Sequence, residues 1–188
     1  IMDWIVNCDH MIIFAVQHNI VAEWLTPFMR VISFVGEYAF MWIVVGSVLC
    51  CSKKYRRTGI AVLLGVAFTH LVGNELIKHI VMRQRPCFDF AGVSVLPVLP
   101  PVDSFSFPSG HTFSSFAAAT ALLSAGNKKW SLLGFAIAFI MGFSRIYLFV
   151  HYPSDVMTGM VLGILFGLIA WKLAFSLKKN NVTDSEYS

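Results

Sequence analysis

Apolar residues in this chain run together instead of alternating with polar ones. Five stretches, 38–52, 58–74, 112–127, 130–144 and 156–171, hold 15 to 17 residues each without one Asp, Glu, Lys or Arg. Continuous runs of that length predict buried or membrane-spanning helices, not half-buried stripes on a soluble surface. Crossing about 30 Å of hydrocarbon takes roughly 20 residues, so each helix is expected to extend into its polar flanks. Polar residues are thereby held at the helix ends, where long cations snorkel or a site lies at the membrane surface. Residues 1–36 read differently, because Asp3, Asp9, Glu23 and Arg30 interrupt them and Pro27 sits inside the second apolar patch. They predict one or two interfacial helices on the non-cytoplasmic side. A sixth span over about 11–36 is the alternative, and would move the N-terminus inside. The expected fold is all-α: a polytopic bundle of about five transmembrane helices in one domain, 1–179, with N-terminal helices in 1–36, a five-helix core in 37–179 and a polar tail in 180–188. No internal repeat and no removable signal peptide are expected.

Composition narrows the class. Of 188 residues, 57% are hydrophobic and 13% charged, against roughly 25% charged in a soluble domain. That balance excludes an ordinary cytosolic protein and a disordered chain. The net charge of +4 is spread through an apolar chain, which argues against nucleic acid as a partner. Cys8, Cys50, Cys51 and Cys87 show neither metal-ligand spacing nor a disulfide framework.

Sorting the charges by side changes the picture. With five spans, Lys53, Lys54, Arg56, Arg57, Lys128, Lys129, Lys172, Lys178 and Lys179 share one side, nine of the 14 basic residues. By the positive-inside rule that side is cytoplasmic. The other carries Arg30, Lys78, Arg83, Arg85 and Arg145 with eight of the ten acidic residues. Those cations need another reason to be there.

Three clusters converge on that side. In the first, Lys78 and Arg85 are seven residues apart and would share a helical face if the helix continued between them, although Pro86 disfavours helical geometry at Arg85. Pro108-Ser109-Gly110-His111 is the second, at the start of the third run: proline in a first turn, small residues that leave amides accessible, and a histidine beside an anion-binding helix N-terminus. The third joins Ser144 and Arg145 to His151 and Asp155, where a carboxylate four residues beyond an imidazole can fix its tautomer and leave the other nitrogen as nucleophile or base. Taken singly, these are also headgroup anchors, a capped helix, a structural polar pair or metal ligands. Together they place three cations, Lys78, Arg85 and Arg145, around two histidines. A phosphate suits that field better than a divalent metal does.

Lys-x6-Arg-Pro, Pro-Ser-Gly-His and Ser-Arg-x5-His-x3-Asp, complete and in order from Lys78 to Asp155, resemble the signature motifs of the type 2 phosphatidic acid phosphatase (PAP2) superfamily. The resemblance implies a phosphatase that needs no metal or other cofactor. His151 would attack phosphorus, Asp155 would orient it and stabilise its positive charge, and His111 would protonate the leaving oxygen and then assist water. Lys78, Arg85, Ser109, Gly110 and Arg145 would hold the phosphoryl oxygens.

A phosphate site at the ends of membrane helices suits an amphipathic substrate whose chain stays in lipid. Small bacterial-type members imply undecaprenyl diphosphate at the extracytoplasmic face of the cell membrane, with phosphatidylglycerophosphate, phosphatidic acid and lipid A as alternatives. A transporter or headgroup-binding protein would use the cations and the close-packing Gly159, Gly163 and Gly167, but binding alone does not need His111, His151 and Asp155. Those glycine faces also permit a homo-oligomer. The peroxide chemistry of the related vanadium haloperoxidases fits poorly with the transmembrane character. Loop 87–107, rich in Phe, Pro and Leu, is expected to pack on neighbouring helices in preference to forming a lid. Glu75, one turn before Lys78, is expected to pair with Lys78 or Arg83.

Overall fold

The structure, a computed structural model, describes residues 2–96, 99–102 and 104–176. The polar tail 180–188, Lys178, Lys179 and the loop residue Pro97 lie outside them. Nine α-helices order the described residues: α1 Met2–Asn19, α2 Thr26–Val35, α3 Phe40–Cys51, α4 Arg56–Phe68, α5 Lys78–Val81, α6 Pro86–Asp89, α7 Gly110–Leu122, α8 Lys128–Tyr147 and α9 Pro153–Ser176. Each of the five charge-free runs became one of the long core helices α3, α4, α7, α8 and α9. By length and apolarity three segments can each cross a membrane, Arg56–Asp89, Lys128–Tyr147 and Pro153–Ser176, and α2 with α3 makes a fourth, bent by 49°. The third run differs from expectation. Its helix α7 has 13 residues, and every one from Thr112 to Leu122 is buried, so α7 is the axis around which the others pack.

What lets α9 lie against α7 is the stripe Gly159, Gly163 and Gly167. A Cβ at Gly159 would meet Ser109 O at 2.7 Å, one at Gly163 would meet Phe116 Cβ at 2.6 Å and Phe113 O at 2.7 Å, and one at Gly167 would meet Ala117 O at 2.6 Å. These glycines, whose spacing by itself would also permit a homo-oligomer or the packing of a transporter, are used inside the fold. Overpacking of this kind costs about 1–3 kcal/mol. Gly163→Ala should accordingly lower the thermal midpoint in detergent by several degrees, read by scanning fluorimetry, whereas Gly92→Ala, with no atom within 4 Å of its Cβ position, tests backbone strain alone.

No single helix covers the alternative span 11–36, since α1 ends at Asn19 and α2 begins at Thr26 after a turn. Both helices cover the end of the bundle where the motifs lie. Ile13 and Met29 pack with Cys87 and with Tyr147 to Val150 and Tyr152 in one buried cluster, which Phe88, Phe90, Val93, Val95 and Leu96 of the loop complete. As expected, the described part of that loop packs on its neighbours. Gln17 Nε2 donates to Tyr147 O at 2.9 Å and the Tyr147 hydroxyl donates to Ala22 O at 3.0 Å, tying α1 and the turn after it to the end of α8.

Candidate active site

Lys78 and Arg85 do not meet along a continuous helix. After α4 the chain forms a π-helical segment, Thr69–Ile77, then the single turn α5, which ends with Met82 in the left-handed region (φ 48°). Arg85 is extended, as the proline that follows requires. The π segment changes the register of the residues after it, and the helix break at Met82 followed by extended backbone at Arg85, not a shared helical face, sets how the two cations meet.

They line one cavity of about 750 Å³ with Gly110, His111, Arg145 and His151. Residues separated by up to 73 positions in sequence thus share one space, at the N-terminal ends of α7 and α9 and the C-terminal end of α8. Its remaining wall is mixed: Phe34, Ile43, Val66 and Ala67 on one flank, Leu96, Leu99, Pro100 and Pro101 on another. Among the described residues, no group of three or more His, Cys, Asp or Glu stands close enough to hold a metal ion.

His151 sits in the fully buried turn Leu148 to Tyr152. Arg85 Nη1 donates to its Nε2 at 3.0 Å and to Val150 O at 3.1 Å, while Arg85 Nε donates to Ser104 O at 2.6 Å. A guanidinium is a donor only, so Nε2 is the acceptor and the proton of the neutral ring belongs on Nδ1. Nδ1 faces Asp155 Oδ2 at 3.6 Å, beyond hydrogen-bond reach, and has no other partner among the described residues. The direct His-Asp hydrogen bond expected from the spacing is therefore not made in this state. Asp155 Oδ2 accepts instead from Tyr152 N at 2.8 Å and from the Ser106 hydroxyl, and Oδ1 accepts from Arg83 Nη1 at 2.7 Å.

His111 lies at the first turn of α7 with its Nε2 3.2 Å from Ser33 O and 3.5 Å from Glu37 Oε2. Arg145, a lining residue of the cavity, donates to the Ser33 hydroxyl, and its buried Nε has no partner among the described residues. An unfilled guanidinium donor is what an anion would satisfy. Ser109 behaves otherwise than expected. Its hydroxyl is buried against Thr112 Oγ1 at 2.9 Å and it does not line the cavity. Its amide donates to Asp155 O at 3.1 Å, joining α7 to α9. Pro108 precedes the helix, which starts at Gly110. A Cβ at Gly110 would come within 2.9 Å of Asn74 Oδ1, so a larger residue there would displace the Asn74 side chain.

Sequence reasoning missed Arg83, Asp9, Ser33, Ser106 and Glu37. Arg83 had been counted among the five cations on this side without a role, and only its closeness to Arg85 hinted at one. Asp9, Ser33 and Glu37 belong to α1, α2 and the 3-10 turn Glu37–Ala39, where nothing local marks them. Glu75 pairs at 3.6 Å with His70, both exposed, and not with Lys78 or Arg83.

Comparison with known proteins places this geometry. The family model described as PAP2 superfamily matches residues 58–179. An undecaprenyl-diphosphatase of Sulfolobus acidocaldarius is 33% identical over 132 residues, covering 69% of this chain and 63% of that protein, so the chain spans less than two thirds of that relative. Among solved structures, the transmembrane PAP2 type phosphatidylglycerolphosphate phosphatase from Bacillus subtilis superposes with a TM-score of 0.72 at 30% identity, covering 92% of this chain and 87% of that one. LpxE of Aquifex aeolicus gives a TM-score of 0.68 at 25% identity, covering 86% and 94%.

Proposed function

The chain belongs to the PAP2 superfamily, and from that premise we propose that it is a membrane lipid phosphatase acting through a phosphohistidine on His151. The observation that carries the reading is the shared cavity: Lys78, Arg85, Arg145, His111 and His151 all line it, Arg145 Nε is buried with no partner among the described residues, and Nε2 is the acceptor nitrogen of His151. A bound phosphoryl group would take Arg85 Nη1 and Arg145 from their present neighbours, with Lys78 and the amide end of α7 at Gly110 completing the cradle. Release of Nε2 from Arg85 leaves its lone pair free to attack phosphorus. As the N–P bond forms, the bond from phosphorus to the leaving oxygen breaks, and His111 supplies that oxygen with a proton. Water then attacks the phosphohistidine, gives a proton to His111, and returns inorganic phosphate and free His151. Asp155 stabilises the ring while it is cationic. Ser109 acts through packing, holding α7 on Asp155.

The substrate is proposed to be a lipid phosphate or diphosphate, with undecaprenyl diphosphate first, a choice supported by the similarity to the Sulfolobus diphosphatase. A phosphatidylglycerophosphate is the second reading, supported by the Bacillus subtilis structure. The apolar residues on the cavity flanks suit a headgroup whose chain stays in lipid. A site on the extracytoplasmic face of the cell membrane is supported by the other end of the bundle, where Lys53, Lys54 and Arg57 gather beside Ser124 and Phe175.

The test is phosphate release in detergent with a chelator present, comparing undecaprenyl diphosphate, phosphatidylglycerophosphate, phosphatidic acid and lipid A at one surface concentration. Chelator-insensitive release with at least tenfold preference for the diphosphate is expected. An equal preference for phosphatidylglycerophosphate moves the substrate to the second reading, and no release from any of them by folded protein overturns the phosphatase.

A further inference from the structure

Asp9 is the one acidic residue of α1 that is buried, and its side chain is 3% exposed. It stands 145 positions from Ser154, yet Asp9 Oδ1 accepts from Ser154 N at 2.8 Å and Oδ2 accepts from the Ser154 hydroxyl at 2.5 Å. Oδ2 also accepts from Arg83 Nη2 at 2.7 Å. The other end of the same guanidinium, Nη1, serves Asp155 Oδ1 at 2.7 Å and Ser154 Oγ at 2.7 Å, and the plane of Arg83 lies 4.0 Å from the centre of the Tyr152 ring. One cation is therefore shared by two carboxylates. Asp9 lies outside the segment 58–179 matched by the family model.

This sharing has an electrostatic consequence. If Arg83 served Asp155 alone, the pair would be neutral and would offer little to a positive charge next to it. With Asp9 taking half of the guanidinium, the group of three carries one net negative charge, in a buried place where screening is weak. His151 Nδ1 is 3.6 Å from the inner oxygen of that group. Attack through Nε2 leaves an imidazole phosphorylated on one nitrogen and protonated on the other, which is a cation.

We propose that Asp9 is a positioning residue for the reaction: by sharing Arg83 with Asp155 it keeps a net negative charge beside the ring that becomes cationic on phosphorylation. The proposal rests on His151 as nucleophile. It distinguishes Asp9 from a mere anchor for α1, because an anchor would matter whether or not Arg83 is present.

A double-mutant cycle on the full chain, with undecaprenyl diphosphate in detergent as the probe, or whichever lipid of the panel the parent turns over fastest, tests it. Asp9→Asn keeps the shape and should lower kcat at least tenfold with KM within twofold of the parent. Asp9→Glu, which keeps the charge, should recover most of that loss. In an Arg83→Gln background there is no cation left to share, so adding Asp9→Asn should change kcat by less than twofold. Parent-like kcat for Asp9→Asn, or a further loss of fivefold or more in the Arg83→Gln background, overturns the proposal. Should Asp9→Asn alone not elute as a monodisperse species, the Arg83→Gln pair decides by the same limits. His151→Ala measured alongside separates the failures: if it stays active, the nucleophile reading falls and this proposal with it. If it is inactive while Asp9→Asn turns over normally, only the role of Asp9 falls.

Discussion

His151→Ala should abolish turnover, with a loss of about 10³-fold or more in kcat and no labelled phosphoenzyme after acid-free quenching of a reaction with ³²P-labelled lipid phosphate. The magnitude follows from the role: a covalent nucleophile is not one of several parallel contributions, and removing it forces water to do the first step directly. The environment of the ring fits that task. In the turn between α8 and α9, burial first and then the cations Arg85, Arg145 and Lys78 hold the His151 imidazole well below its ordinary pKa. The folded, unliganded protein therefore keeps the ring neutral down to a pH well under 6.5. Since the neutral form is the nucleophile, the acid limb of kcat/KM should lie well below neutrality, where protonation consumes the lone pair on Nε2, while any fall at higher pH reports loss of the proton that His111 supplies. Gly163→Ala, which changes packing far from this ring, should leave that profile in place. Substantial turnover by folded His151→Ala would require another nucleophile, and Ser109, buried on Thr112, is poorly placed to be it.

Arg85→Ala is expected to have the second largest effect, and to act in two ways. Its contacts join two segments, Ser104 O of the loop and Val150 O and His151 Nε2 of the buried turn, and in the proposed cradle the same guanidinium would meet the phosphoryl group. Loss of a charge-assisted contact to a developing anion is worth about 3 kcal/mol, or ~10²-fold in kcat/KM. The sign of the pH effect is separable from the size of the rate effect. Arg85 is the leading charge among those that depress His151, so without it the imidazole pKa rises toward its ordinary value. The acid limb of kcat/KM should move to higher pH in Arg85→Ala, and less far in Arg85→Lys, which keeps the charge but not the fork. An unmoved limb with a full loss of rate would mean that Arg85 binds phosphate without governing the nucleophile.

Both variants rest on residues that the sequence already singles out, and the reason is the scarcity of charge. In a chain where 13% of residues are charged, placing a cation near hydrocarbon costs roughly 2.5–3.5 kcal/mol on insertion scales. Lys78, Arg85 and Arg145 therefore stand out, and the fixed spacings around His111, His151 and Asp155 add to the signal. Element identity was equally local: uninterrupted apolar runs became helices α3, α4, α7, α8 and α9 at nearly the expected positions.

Other features depend on which surfaces meet. Whether Gly159, Gly163 and Gly167 face lipid, a second copy or α7 is invisible in their spacing, and only the packing of α9 on the axis helix decided it. Spacing suggests that Lys78 and Arg85 share a helical face, whereas a π segment, a left-handed residue at Met82 and extended backbone at Arg85 relate them. A carboxylate four residues after His151 suggested a direct pair, but Arg83, Ser106 and the Tyr152 amide claim Asp155 first. Asp9 reads in sequence as a polar break in an apolar segment, a place where a solvated face is the usual outcome. Its burial against Arg83 and Ser154 exists because α1 folds across the far end of the chain. The sequence by itself determined the membrane class, the core helices and the anion-binding chemistry, because these follow from composition and short-range spacing. Only the tertiary structure decided which groups share a charge and which oxygen faces the histidine, because those depend on burial and on contacts between residues 49 to 145 positions apart.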